Sequence, residues 1–335
     1  MLDTLIRYLK VLSVLQLIIL ISTNQVQAQK IDFKKVDKVV PDYPSSYRSV
    51  DSLAQRVLSD FSSPKEQVRA FYTWLINNIT FDVKNTYARE TQIPYTNKKD
   101  SLIRTNAVLG ALAQLALEEK KGICSGYTYL FHQLCLIADI ETYFIIGYAK
   151  SGILDLRANP ESLKHTWNAV KLNGQWYFID ATWGAGHIAD AQFIKHNSYD
   201  YFMASPDYFE LSHQPLVNKW MLTKNRRTLE EFLRTPVFFD HYKNSNYELL
   251  EPFSLNGLIE SDTKKLELTI KTKTKTSFIE VYNELMVEPK MIKTIKTAKE
   301  KIYRVEIFMD EIKGNKLYLM DDNTSIVGFL IDSVE

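Results

Sequence analysis

Hydrophobic spacing divides the chain into a helical first part and a strand-rich remainder. From Ser52 onward Leu53, Val57, Leu58 and Phe61 recur at helical intervals. Ser63-Pro64-Lys65-Glu66 has the form of a helix start, with Ser63 as cap, Pro64 in the first turn and Glu66 as the capping-box partner. Val68, Phe71, Tyr72, Leu75 and Ile76 continue that helix. The polar, aperiodic stretch 85–104 predicts a surface loop. Val108, Leu109, Leu112, Leu115 and Ala116 predict a further helix over 106–120, ending at Lys121-Gly122. A third apolar helix follows Gly122-Ile123-Cys124, with Leu130, Leu134 and Ile137 on its core face.

After Asp139 the period changes, and strands are expected over 142–148, 165–172 and 175–181. Asn173-Gly174 between the last two is a strong signal for a two-residue type I′ hairpin turn. With that turn, Leu172 faces Gln175, and counting outward brings Asp180 opposite Trp167. His165 lies two residues from Trp167 and shares its face. His165 and Asp180 thus become diagonal neighbours with Cβ atoms about 7 Å apart or less. A slip of one residue would send them to opposite faces. Beyond Pro236, alternation at Leu266, Leu268 and Ile270, at Val305 and Ile307, and at Leu317 and Leu319, the latter pairs around Gly314-Asn315, suggests a small all-β sandwich. The alternating lysines from Lys271 to Lys275 read as the guarded solvent face of a strand rather than a nucleic-acid or glycan patch.

The first residues read as a targeting segment. Arg7 and Lys10 precede the nearly continuous apolar run 11–21, and Val26-Gln27-Ala28 fits cleavage before Gln29. That run is short of the ~20 residues a spanning helix needs. The expectation is a signal peptide over 1–28, an extended lead-in over 29–50, a main domain over 51–235 and a β-sandwich-like domain over 236–335. The protein would then be periplasmic or secreted, with no stable membrane span after cleavage. Net charge is +1 for the whole chain, and losing Asp3, Arg7 and Lys10 leaves 39 basic and 39 acidic residues. Such a balance gives no electrostatic case for nucleic acid or an anionic membrane surface.

Export makes the cysteine content informative. The chain has two cysteines, Cys124 and Cys135, eleven residues apart in one expected helix. They would lie about 16 Å apart along its axis, beyond the ~7 Å Cα separation a disulfide tolerates. Cys135, between two leucines, is explained as a small buried apolar residue. Cys124 opens its helix, where unpaired N–H groups and the dipole favour thiolate. An imidazolium beside it would stabilise that thiolate, and a carboxylate would orient the imidazole. Taken singly, packing cysteine, satisfied strand histidine and capping aspartate are the better readings. Jointly, Cys124, His165 and Asp180 point to nucleophilic catalysis. Tyr127, Trp167 and Trp183 are substrate-cleft candidates, with core packing an equal reading for the first two. Trp183-Gly184-Ala185-Gly186 offers either a close backbone approach to substrate or a simple turn. His132, His187, His196, His213 and His241 lack metal-ligand spacing, and the chain has no HExxH, CxxC or glycine-rich phosphate loop.

The order Gly122-Ile123-Cys124-Ser125-Gly126-Tyr127, then His165-Thr166-Trp167-Asn168, then Trp176 through Gly184 resembles the transglutaminase-like superfamily, nearest its bacterial and kyphoscoliosis-peptidase-like branch. Ala70-Phe71-Tyr72-Thr73-Trp74-Leu75 upstream, and Tyr201-Phe202 and Trp220-Met221-Leu222 downstream, extend the likeness over about 50–235. The resemblance implies an α+β fold with a papain-like core, a helical part packed on an antiparallel sheet. It carries the triad onto Cys124, His165 and Asp180 and implies no metal at that centre; no cofactor is expected.

The expected activity is hydrolysis of peptide or amide bonds through an acyl-enzyme, with a protein or peptide as substrate. Transamidation differs only in resolving the thioester with an amine. A non-catalytic peptide-binding or scaffold role, with a cell-envelope partner held by the β-domain, is the alternative from another class.

Overall fold

A computed structural model of the chain describes residues 32–332 apart from 86–97, 224–225, 245–246, 251, 253, 261, 273–278, 287–291 and 297–301. The expected signal peptide and the end of the Lys-Thr run therefore lie outside the described residues.

The lead-in is not extended. Its polar sequence hides an apolar pair one helical turn apart, Val36 and Val40, which are fully buried. They form helix α1 (Lys34–Val39) and the 3-10 turn after it. Asp37 on α1 accepts two hydrogen bonds from Arg69, at 2.8 and 2.9 Å, tying it to the main body. Helix α2 (Val50–Asp60) starts from a capping box between Ser49 and Ser52. Helix α3 (Pro64–Asn78) begins where expected, but Ser63 makes no side-chain cap; Gln67 bonds instead to the Phe61 carbonyl at 2.8 Å. Helix α4 (Lys98–Glu119) starts earlier than the periodicity indicated, so 98–104, read as the end of a surface loop, is helical, and 86–97 lie outside the described residues. After Pro94 no proline interrupts the chain, and lysine, leucine, isoleucine and arginine are good or tolerable helix formers without an amphipathic stripe.

Helix α5 (Cys124–Ile137) packs on a five-stranded antiparallel sheet. Its strands are β1 (Thr142–Ala149), β2 (Lys164–Leu172), β3 (Gln175–Ile179), β4 (Phe202–Ala204) and β5 (His213–Pro215), in the spatial order β4-β3-β2-β1-β5. The β2–β3 hairpin has Leu172 opposite Gln175 and Asn168 opposite Ile179. Asn173 and Gly174 both take positive φ, 53° and 80°, as a type I′ turn requires. Both faces of the sheet are covered. Val170, Leu172 and Ile179 join the helical core with Trp74, Leu130 and Leu134, and Trp167, Ala169 and Phe178 pack with Phe209 and Trp220 on the other side.

The C-terminal strands form two sheets around one apolar core that includes Leu268, Ile270, Val305, Ile307, Leu319 and Phe329. The strands on either side of Gly314-Asn315, Ile302–Phe308 and Lys316–Asp321, belong to different sheets. That turn is a corner between layers and not a hairpin. Strand Val237–Phe238 pairs with Thr324–Asp332. Helix α6 (Asp240–Asn244) follows it directly, so the chain enters the sandwich alongside the first sheet. No helix among the described residues is long and apolar enough to cross a membrane.

Candidate active site

Cys124 is the first residue of α5, with Ile123 extended before it. It is half-buried and free, while Cys135 is fully buried and free. The register between this helix and the sheet is set by Thr128, one turn further on. Its hydroxyl donates to the Thr166 carbonyl at 3.0 Å, and its carbonyl accepts from the Asn168 amide at 3.0 Å. Those bonds hold the helix start beside His165 on β2.

His165 Nε2 lies 2.7 Å from Asp180 Oδ2. The other ring nitrogen, Nδ1, is left for the Cys124 thiol, which lines the same cavity as His165 and interacts with it electrostatically. Asp180 caps the short helix Ala181–Ala185: its Oδ1 accepts from the N–H groups of Thr182, at 2.8 Å, and Trp183, at 3.1 Å. The carboxylate thus occupies two roles, cap and histidine partner, with different oxygens.

Electrostatics favour the ionised forms. Burial raises the Asp180 carboxyl, but the charges and hydrogen bonds of His165 and His213 outweigh it and hold the group well below the usual carboxylate range. Burial opposes a charged His165, and Asp180 with Cys124 overcomes it, pushing the ring up to about 10. Burial likewise raises the Cys124 thiol, and the hydrogen bond and charge of His165, with help from Thr166, bring it below its ordinary value. Cys135 has burial alone, which pushes its thiol up. The two cysteines differ in the direction that a thiolate–imidazolium pair requires.

Sequence patterns missed His213. Its Nε2 lies 3.2 Å from the same Asp180 Oδ2, and its Nδ1 lies 3.0 Å from Ser212 Oγ. No local spacing signals it, because β5 joins the sheet's edge next to β1, 33 residues beyond Asp180. Burial is the main cause that brings its ring down to about 4. Among the described residues, His165, Asp180 and His213 are the three whose ligand atoms lie within 4.8 Å of one another. Asp180 Oδ2 lies within hydrogen-bond distance of both rings, at 2.7 and 3.2 Å.

The row opens into a cavity of about 1170 Å³ whose lining includes Cys124, His165, Thr166 and Trp183. Trp183 is the one sequence-proposed cleft residue on that wall. Tyr127 is buried, and its hydroxyl donates to the Ile79 carbonyl at 2.9 Å, so it belongs to the helical core. Trp167 is also buried, stacked near His165 with ring centroids 6.1 Å apart and packed on Phe209. Tyr127 packs in the helical core, and Trp167, though on the same strand face as His165, packs in the cluster with Phe209 and Trp220. Gly184 makes its close approach to a neighbour inside the protein: a Cβ there would meet the Tyr72 hydroxyl at 1.9 Å. The far wall of the cavity includes Phe238, Phe239 and Lys243, from the segment that leads into the C-terminal strands.

A helix-borne thiol facing a strand histidine and its carboxylate is the arrangement of a papain-like α+β fold, and residues 51–181 match the family model of the transglutaminase-like superfamily. Among curated proteins it is similar to kyphoscoliosis peptidase of Mus musculus, 26% identical over 237 residues, which cover 70% of this chain and 33% of the relative. It is also similar to hillarin of Drosophila melanogaster, 27% identical over 249 residues, covering 68% and 28%. The chain therefore spans about a third of the length of these relatives. A solved TGase structure aligns at 17% identity and a TM-score of 0.28, over 54% of this chain and 41% of that one.

Proposed function

We propose that the protein is an exported thiol hydrolase that cleaves peptide or amide bonds with Cys124, His165 and Asp180. The observation that carries this reading is the convergence of a lowered thiol, an imidazole held by a buried carboxylate and a large cavity at one point. The Cys124 sulfur attacks the substrate carbonyl, and the Cys124 N–H, an unpaired donor of the helix start, is available to the oxyanion. His165 protonates the departing amine, leaving a thioester. Water, deprotonated by His165, then attacks the thioester; the acid is released and the thiol recovers its proton. Asp180 holds the imidazole on the axis between thiol and leaving group. The expected signal segment over 1–28 supports export.

The test is thiol-directed activity profiling of the wild type and of Cys124→Ala on peptides and cell-wall fragments from the same compartment. Cys124 should label faster than Cys135, and Cys124→Ala should lose all turnover. Equal, slow labelling of both cysteines would exclude the catalytic reading. A primary amine added to the assay and recovered in the product would reassign the reaction to transamidation.

A further inference from the structure

The polar groups behind Asp180 do not stop at His213. Lys243, on α6, has a side chain only 1% exposed. Its Nζ lies 2.9 Å from Asp240 Oδ1, 3.2 Å from the Tyr201 hydroxyl and 3.4 Å from Ser212 Oγ. The Tyr201 hydroxyl in turn donates to Asp240 at 2.6 Å. An ammonium has three donors and no acceptor, so Lys243 can only donate to these groups. Ser212 Oγ is thereby an acceptor toward Lys243, and its own hydrogen is free for another partner. His213 Nδ1, at 3.0 Å, is nearer than the Phe209 carbonyl at 3.5 Å. When Nδ1 accepts, Nε2 carries the ring proton and donates to Asp180 Oδ2.

We infer that Lys243 is a positioning residue: through Ser212 it reinforces, from the Nδ1 side, the His213 tautomer that Asp180 requires, and His213 then fixes the oxygen of Asp180 that holds His165. The inference rests on the reading of Cys124, His165 and Asp180 as the reactive row. It makes the entry to the C-terminal strands part of the active centre, since Lys243 reaches the row from outside the region matched to the family. The charged groups facing His213 are Asp180, His165, Lys243 and Asp240. The remainder of its surface is aromatic, with Phe209, Trp183, Trp167 and Tyr201 around the ring. A cation on His213 would sit between two others, Lys243 and the His165 imidazolium. Burial and these neighbours keep His213 neutral, which is the form the chain of donors requires.

The experiment is alkylation of Cys124 by iodoacetamide in the full chain, followed by peptide mass spectrometry from about pH 4 to about pH 10, spanning the free-thiol value near ~8.5. It needs no knowledge of the substrate. The parent protein should show an inflection below the free-thiol value. Lys243→Met and His213→Ala should each move it upward and cut the rate near pH ~6 by about tenfold, the effect of one unit in thiol pKa. His213→Gln, whose amide can donate to Asp180 and accept from Ser212, should recover most of what His213→Ala loses. A Lys243→Met profile superimposable on the parent's, or a glutamine no better than alanine, overturns the inference. A parent profile with the free-thiol inflection overturns the reading of the reactive row itself. Circular dichroism checks folding, and if Lys243→Met does not fold, Ser212→Ala, which removes only the hydroxyl between Lys243 and His213, decides in its place: a profile superimposable on the parent's overturns the inference.

Discussion

His165 and Asp180 are fifteen residues apart in sequence and 2.7 Å apart in the fold, joined by a hairpin whose two turn residues both sit at positive φ. The pairing depends on that turn. Nothing lies within 4 Å of where a Cβ of Gly174 would be, so a side chain there meets only backbone strain. Gly174→Val should cost about 1–2 kcal/mol, the left-handed penalty for a residue with a Cβ. Urea denaturation measures it. A stability equal to the wild type would show that the turn tolerates another geometry.

The two histidines on Asp180 predict opposite pH slopes. His165 rises from about 6.5 to about 10 on folding, so the folded state holds its proton where the unfolded state has lost it. Its contribution is complete below the unfolded value and is lost as pH climbs toward about 10. His213 falls from about 6.5 to about 4, so the unfolded state binds the extra proton and stability drops as pH falls through that window. Denaturation midpoints should therefore peak near the unfolded histidine value. His165→Gln should flatten the alkaline slope and His213→Gln the acid one, and slopes unchanged in both variants would contradict these assignments.

Gly184 sits in the one-turn helix capped by Asp180, against the Tyr72 hydroxyl that donates to the Ser198 carbonyl at 2.7 Å. Gly184→Ala should displace that ring and shift the cap, destabilising the fold by about 1–3 kcal/mol, as overpacking does. Tyr72→Phe in the same background removes the hydroxyl and should restore part of the loss in thermal melting.

Lys150, at the end of β1, is almost fully buried and donates to the carbonyls of Phe232 and Thr235 at 2.6 and 2.5 Å and to the Thr235 hydroxyl at 3.0 Å. It clamps the helix Leu229–Arg234 onto the sheet. Lys150→Met leaves those acceptors dry and should cost about 3 kcal/mol. Lys150 lines the cavity with Cys124, but its ammonium bonds only to Phe232 and Thr235, so the alkylation profile of folded Lys150→Met should match the parent's.

Export is checked by expression with the native start in a host that processes such segments. The mature N-terminus should read Gln29, after Ala28, and an intact Met1 on the purified protein would remove the assignment to the periplasm or exterior.

What the chain states locally, it states well. The start of α5 at Cys124 follows from an apolar period after glycine, and the β2–β3 register follows from a two-residue turn with one favoured geometry. From those two signals alone His165 falls beside Asp180, because a hairpin's pairing is set by nearest neighbours in sequence. Helix α1 and the first turns of α4 were hidden because their residues are mostly polar, and their helicity shows no stripe to read. Which aromatics line the cavity was also beyond local pattern: Tyr127 and Trp167 sit beside reactive residues in sequence yet turn into packed cores. His213 and Lys243 are invisible to any spacing rule. His213 reaches Asp180, and Lys243 reaches Ser212 beside it, only because an edge strand and the entry to the C-terminal sandwich close over the sheet, and contacts of that range are decided by how the layers pack, not by neighbours along the chain.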